Sequence, residues 1–213
     1  MVRIGIFGGT FDPPHLGHLI LAETCADALG LARVLWVPAA TPPHKQNVSI
    51  TAAAHRVAMV KAAIADNPRF ALSRVDLDRP GPHYSADMVG LVATEHPNAT
   101  LVFLMGSDSL RDLLSWHDPA RLVAQCRLGV MRRQGKRVEA VLESLYNALP
   151  ALPDKLEIVD APYIEISGTE VRRRIYKGLS IRYRVTDGVA AYIKREELYK
   201  RDDDQRRANI VTR

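Results

Sequence analysis

Short apolar runs alternate along the chain with longer segments whose apolar residues recur at helical spacing. "VRIGIF" (Val2 to Phe7) is apolar, β-branched in part and closed by Gly8-Gly9, the signature of a buried strand. The next segment sets Leu19, Ala22, Ala26 and Leu29 at helical spacing and stops at Gly30, which suits a helix C-cap. The alternation then repeats. Strands are predicted over 32–39, 69–77, 99–106, 126–133 and 155–162. Helices are predicted from Thr51 as N-cap to Asn67-Pro68, over 85–97, over 107–116 with Ser107 as cap, and over 138–149. From Thr169 to Tyr199 the chain reads as helical and basic. Strands that alternate with helices predict an α/β fold, a doubly wound and mostly parallel sheet with helices on both faces. There is no internal repeat and no linker-like stretch, so residues 1–199 are expected to form a single domain. Residues 200–213 are polar, lack an apolar stripe and are expected to form a flexible tail.

The first strand-to-helix corner, "GGTFDPPHLGH", carries the clearest chemistry. Gly8 and Gly9 have no side chain to obstruct a phosphate, and Thr10 adds a hydroxyl. Pro13-Pro14 stiffens the entrance to the helix, and Gly17 removes bulk where the free amides of its first turn form an anion site. His15 and His18, three residues apart, share one face of that turn. A lone histidine is usually a hydrogen-bonded structural residue, and a helical zinc pair is spaced four apart with an acid nearby. Neither accounts for two histidines at the helix start that follows a Gly-Gly-Thr turn. The corner is neither a Walker loop nor a GxGxxG fingerprint.

Composition adds limits. The 213 residues carry a net charge of +5 and are 47% hydrophobic. The basic excess, clustered in "RRQGKR" and "VRRRIYKG", suits an anionic partner, although most of these side chains are expected to be solvated surface. Two cysteines, Cys25 and Cys126, make neither a disulfide framework nor a metal spacing. With no secretory leader and no apolar run of about 18 residues, a cytoplasmic, non-membrane protein is expected.

Further stretches are open to structural readings of their own. In "ISGTEVRRR", Ser167 or Thr169 can cap a helix and Glu170 suits its first turn. In "TPPHK", prolines form turns and lysine is usually solvent-facing. Trp116 suits helix-end packing, and Asp108 can either accept from a ribose or support a helix N-terminus.

"GGTFDPPHLGH" resembles the signature of the nucleotidylyltransferase superfamily, whose mark is a histidine-x-glycine-histidine element after the first strand. The longer resemblance is to the bacterial nicotinate-nucleotide adenylyltransferases. "PPHK", "HYSAD", "GSDSL", "SW" and "ISGTEVR" follow in that family's order, and the likeness runs from Met1 to about Tyr199. It implies a Rossmann-like fold and transfer of the adenylyl group of ATP to nicotinate mononucleotide, with Mg²⁺ carried by ATP and no protein metal site. On this resemblance His15, His18, Arg172 and Lys45 are catalytic, with His44 beside Lys45. Gly8, Gly9, Thr10, Phe11, Gly17, Ser167 and Thr169 bind ATP, while Tyr84, Ser85, Gly106, Asp108, Trp116 and His117 bind the mononucleotide. Two positions depart from the family: Gly168 stands where a second serine is common, and Ser85 where threonine is more frequent. The alternatives are transfer to nicotinamide mononucleotide or pantetheine phosphate, cytidylyl transfer to a polyol phosphate, a nucleotide-binding regulator without turnover, and a nucleic-acid module. No helix-turn-helix or RNP pattern supports the last, so no nucleic-acid partner is expected; a homo-oligomer is left open.

Overall fold

The computed structural model describes residues 1–40, 50–133 and 139–200. The apolar runs form six strands: β1 (Val2–Gly9), β2 (Arg33–Pro38), β3 (Phe70–Leu72), β4 (Ala99–Gly106), β5 (Arg127–Arg133) and β6 (Leu156–Ala161). Every pairing is parallel, in the order β3-β2-β1-β4-β5-β6, so the sheet is wholly rather than mostly parallel. The helices are α1 (Leu16–Ala28), α2 (Ala53–Ile64), α3 (Ser85–Glu95), α4 (Ser107–Arg111), α5 (Pro119–Gln125), α6 (Glu139–Ala148), α7 (Gly168–Tyr176) and α8 (Asp187–Arg195).

Both faces of the sheet are covered, which is why its strands read as continuous apolar runs. The pleat divides β2 cleanly. Val34 and Trp36 join a core with Ala22 and Cys25 of α1, Val60 of α2 and Val189 of α8. Leu35 and Val37 join the opposite core, with Val89 of α3, Leu122 of α5 and Leu145 of α6. The chain runs outward from β1 to β3, then returns to place β4 against the other side of β1. A crevice therefore opens at the carboxyl ends of β1 and β4, where ligands of such sheets bind.

Several predicted boundaries shift. β3 stops at Leu72, because Leu77 and Asp78 both donate to the Arg74 carbonyl and turn the chain. Thr51 does not cap α2; Ala52 holds that position, and the Thr51 backbone bonds to Asp12 and Arg56 instead. Gly106, not Ser107, occupies the N-cap of α4. The helix expected over 107–116 breaks into α4 and a 3-10 turn, Leu113–Ser115, where the Ser115 hydroxyl donates to the Asp112 carbonyl at 2.6 Å. α5 was not expected, yet Asp118 caps it by accepting from the Arg121 amide and Pro119 opens it. The basic C-terminal part is two helices. Gly178, at φ 68°, ends α7 with amide bonds back into its last turn, and Thr186 caps α8. The tail residues 201–213 lie outside the described residues.

Candidate active site

Two cavities open along the crevice, of about 350 and 570 Å³, and Thr10 lines both. The smaller is walled by the start of α1 and the start of α7. His15 takes the N-cap position of α1 with extended backbone, φ −143°. Its amide donates to His18 Nδ1 at 3.2 Å, so Nδ1 acts as an acceptor and Nε2 is the nitrogen left to carry a proton. The two rings stack with centroids 3.6 Å apart and planes 22° from parallel. His15 is 7% exposed, and burial pulls its pKa from 6.5 to about 4, so it is neutral at physiological pH. Its Nδ1 is buried and has no partner among the described residues. Gly17 makes room for that ring: a Cβ there would lie 3.0 Å from His15 Nδ1.

Across the same cavity Ser167 caps α7, its hydroxyl accepting from the Glu170 amide at 3.1 Å. Thr169 Oγ1 accepts from Arg172 Nη2 at 3.2 Å, and Arg172 Nη1 donates to the Asp12 carbonyl at 2.6 Å. Its neighbours are otherwise engaged: Arg173 pairs with Glu170, and Arg174 donates to the Ser180 carbonyl. Gly168 has a physical reason to depart from serine. A Cβ at this position would stand 2.9 Å from the Asp12 carbonyl oxygen, so glycine lets the two site walls meet.

The larger cavity is aromatic. Trp116 follows the 3-10 turn and meets Phe103 edge to face at 6.1 Å, while Tyr84 and His117 stack at 3.9 Å. Gly8, Gly9, Thr10, Tyr84, Ser85, Trp116 and His117 all line it. Asp76 and His83 join them unforeseen. Asp76 accepts from Arg79 through Oδ1 (2.7 and 3.1 Å) and from the Ala40 amide through Oδ2 (3.0 Å). Arg79 in turn donates to the carbonyls of Pro82 and Tyr84, shaping the loop that carries Tyr84. An arginine three residues after an aspartate, before Pro80-Gly81-Pro82, was the available sequence signal.

Of the expected residues, Phe11, His15, Gly17, His18, Ser167, Thr169 and Arg172 line the smaller cavity. Gly106 and Asp108 line neither; they stand at the start of α4, where Asp108 pairs with Arg111. Lys45 and His44 lie outside the described residues.

A buried polar scaffold supports the turn between the cavities. Arg56 is 2% exposed and donates to the carbonyls of Thr10, Thr51 and Ala40. Burial lowers its pKa, and the nearby Asp12 charge opposes that shift. Asp12 accepts from the Tyr199 hydroxyl (2.6 Å) and the Thr51 amide (3.3 Å). Burial chiefly, with Asp12 assisting, raises the Tyr199 pKa. Phe11 holds φ 50°, a left-handed conformation that costs an aromatic residue on the order of 1–3 kcal/mol and needs such support. Cys25 and Cys126 are buried, and burial pushes both thiols up to about 12. Among the described residues no group of three or more His, Cys, Asp or Glu is gathered as for a metal, and no helix is long and apolar enough to cross a membrane.

An all-parallel 3-2-1-4-5-6 sheet, with its crevice at the carboxyl ends of the central strands, is the Rossmann-like nucleotidylyltransferase architecture, and the cytidylyltransferase-like family model matches residues 6–174. The chain is 48% identical over 200 residues to the probable nicotinate-nucleotide adenylyltransferase of Thermomicrobium roseum, spanning 94% of this chain and 92% of that one. It is 38% identical over 202 residues to that of Salinibacter ruber, spanning 95% and 100%. The solved Plasmodium falciparum nicotinic acid mononucleotide adenylyltransferase, complexed with NaAD, superposes with a TM-score of 0.75 at 22% identity and covers 95% of this chain and 99% of its own. The chain belongs to the nicotinate-nucleotide adenylyltransferase family.

Proposed function

We propose that this protein transfers the adenylyl group of Mg-ATP to nicotinate mononucleotide, yielding nicotinate adenine dinucleotide (deamido-NAD) and pyrophosphate. One observation supports this most directly: an aromatic cavity and a histidine- and arginine-lined cavity meet at Thr10, which lines both. A flat ring suits the first and a polyphosphate the second, and their phosphates would then meet at the shared turn.

Both reactants are anions, so catalysis must offset their repulsion and hold an in-line approach. A phosphate oxygen of the mononucleotide attacks the α-phosphorus of ATP, that P–O bond forms, and the bond from the α-phosphorus to the bridging oxygen of the β-phosphate breaks. Pyrophosphate departs with the bonding pair. No covalent enzyme intermediate is required, because the attacking phosphate is already ionised at neutral pH. His18 donates from Nε2 to the α-phosphoryl oxygens, a role that fits its Nδ1 being occupied as an acceptor. His15, neutral at this pH, adds a hydrogen bond rather than a charge. Arg172 supplies permanent charge and a planar fork to the leaving phosphates, alongside Lys45, Ser167, Thr169 and the amides of the turn that begins at Gly8 and Gly9. Trp116 stacks on the nicotinate ring, while Tyr84, Ser85 and His117 receive its carboxylate end. Gly106 and Asp108, at the start of α4, would contribute to the ribose side.

Pyrophosphate release from Mg-ATP, with nicotinate and nicotinamide mononucleotides compared at equal concentration, tests the reading. Faster release with nicotinate mononucleotide is expected. Preference for the amide reassigns the acceptor, and release with neither removes the proposed activity.

A further inference from the structure

Arg56 is a charge in the core that neither cavity explains. It lies on the face of α2 that buries Met59, Val60 and Ala63, and its own side chain is 2% exposed. A buried guanidinium is expensive to desolvate, and an apolar residue would fill the space at less cost. Here it is spent on main-chain oxygens: Nη1 donates to Thr10 at 2.9 Å, Nε to Thr51 at 2.9 Å and Nη2 to Ala40 at 3.4 Å. The Thr51 amide closes the circuit by donating to Asp12. Thr10 is the residue at which the two cavities meet. The peptide that follows it is trans, so its carbonyl and the N–H of Phe11 point in opposite directions. Gripping the Thr10 oxygen therefore turns the Phe11 amide away from the guanidinium, while Phe11 is kept at φ 50°.

We propose that Arg56 is a positioning residue for adenylyl transfer: it fixes the Thr10–Phe11 peptide so that the Phe11 amide faces the phosphoryl group in transit. The inference rests on the reaction proposed above. Arg56 touches no substrate; it acts through the Thr10 carbonyl. A lysine at position 56 keeps the charge but has one nitrogen in place of a planar fork, so it cannot hold all three oxygens in the same geometry.

The experiment compares wild type, Arg56→Lys and Leu145→Ala by initial rates of pyrophosphate release and by thermal melting. Leu145 is buried in the core on the other face of the sheet and serves as a destabilised control. Arg56→Lys is expected to lower kcat by about 10- to 100-fold, since a small misplacement near the reacting atoms has that effect. KM for the mononucleotide, which depends on the aromatic cavity, should stay within about threefold, and Leu145→Ala should keep its kcat per folded molecule. An Arg56→Lys kcat within about twofold of wild type, or a loss no greater than that of Leu145→Ala, overturns the proposal. Because Arg56→Lys can fail to fold, the wild-type protein is also labelled with ¹⁵N and titrated with a non-hydrolysable ATP analogue. A shift of the Phe11 amide resonance on binding supports the placement; an unmoved resonance in a saturated complex overturns it. Wild-type enzyme that releases no pyrophosphate overturns the reaction, whereas the resonance titration still decides the orientation of the peptide.

Discussion

In the folded chain His15 takes up a proton only near pH 4, because burial against α1 and the His18 ring disfavours its charged form, while the unfolded chain takes one near 6.5. Between those values the unfolded state binds a proton that the folded state refuses. Stability therefore rises with pH across the window and is lost on acidification, the full loss being reached below the folded pKa. The gap between 6.5 and about 4, at about 1.4 kcal/mol per pH unit, is worth roughly 3 kcal/mol. Against a typical domain stability of about 5–15 kcal/mol that is a large fraction. Urea unfolding of wild type and His15→Gln at about pH 7 and about pH 4 measures it. Other acid-sensitive groups titrate in both proteins and cancel in the comparison. Any fixed cost of glutamine at this position offsets its curve without changing the slope. Wild type should lose about 3 kcal/mol more than the variant on acidification. Parallel stability curves, or a His15 ring that titrates near 6.5 by NMR, would refute the reasoning.

His18→Ala should fold normally yet lose about 10²–10³ in turnover, the cost of removing one preorganised donor to the phosphoryl oxygens; pyrophosphate assays at saturating substrate check it. Trp116→Ala should raise KM for nicotinate mononucleotide about tenfold, with KM for ATP nearly unchanged, since the ring stack belongs to one cavity only. Gly168→Ala puts a carbon 2.9 Å from the Asp12 carbonyl oxygen and must push α7 from the histidine turn. Thermal melts should show a loss of about 1–3 kcal/mol, and ATP affinity should fall with it.

The strands were legible because burial on both sheet faces leaves a plain apolar run, as in "ATLVFLMG" for β4. α1 was legible from its spacing and its glycine stop. Edge strand β3 was over-extended because an apolar run does not reveal where a neighbour strand stops; among the described residues β3 pairs only with Val34–Trp36. α5 escaped although Asp118-Pro119 is a helix-opening pair, because the segment is short and follows an aromatic loop. Within the site, the residues of the first corner and of "ISGTEVR" could be read because a local motif announces them. Arg56, Asp76 and Tyr199 could not, since each acts through a partner far away in sequence; Arg79 bonds locally, to Asp76, Pro82 and Tyr84, but no motif marks it. The one hint for Arg56 was an arginine on the apolar face of α2, beside Val57 and Val60.

The hydroxyl of Tyr199 meets the carboxylate of Asp12 across a sequence separation of 187 residues. During synthesis the amino-terminal corner emerges first and waits for a fastener that has not yet been made. A partly translated chain can form its early strands and helices and the Arg56 contacts to the corner, but the Asp12 carboxylate gains this further bond only when the late tyrosine arrives. The site's first-made corner thus receives one of its fasteners from a residue translated 187 positions later.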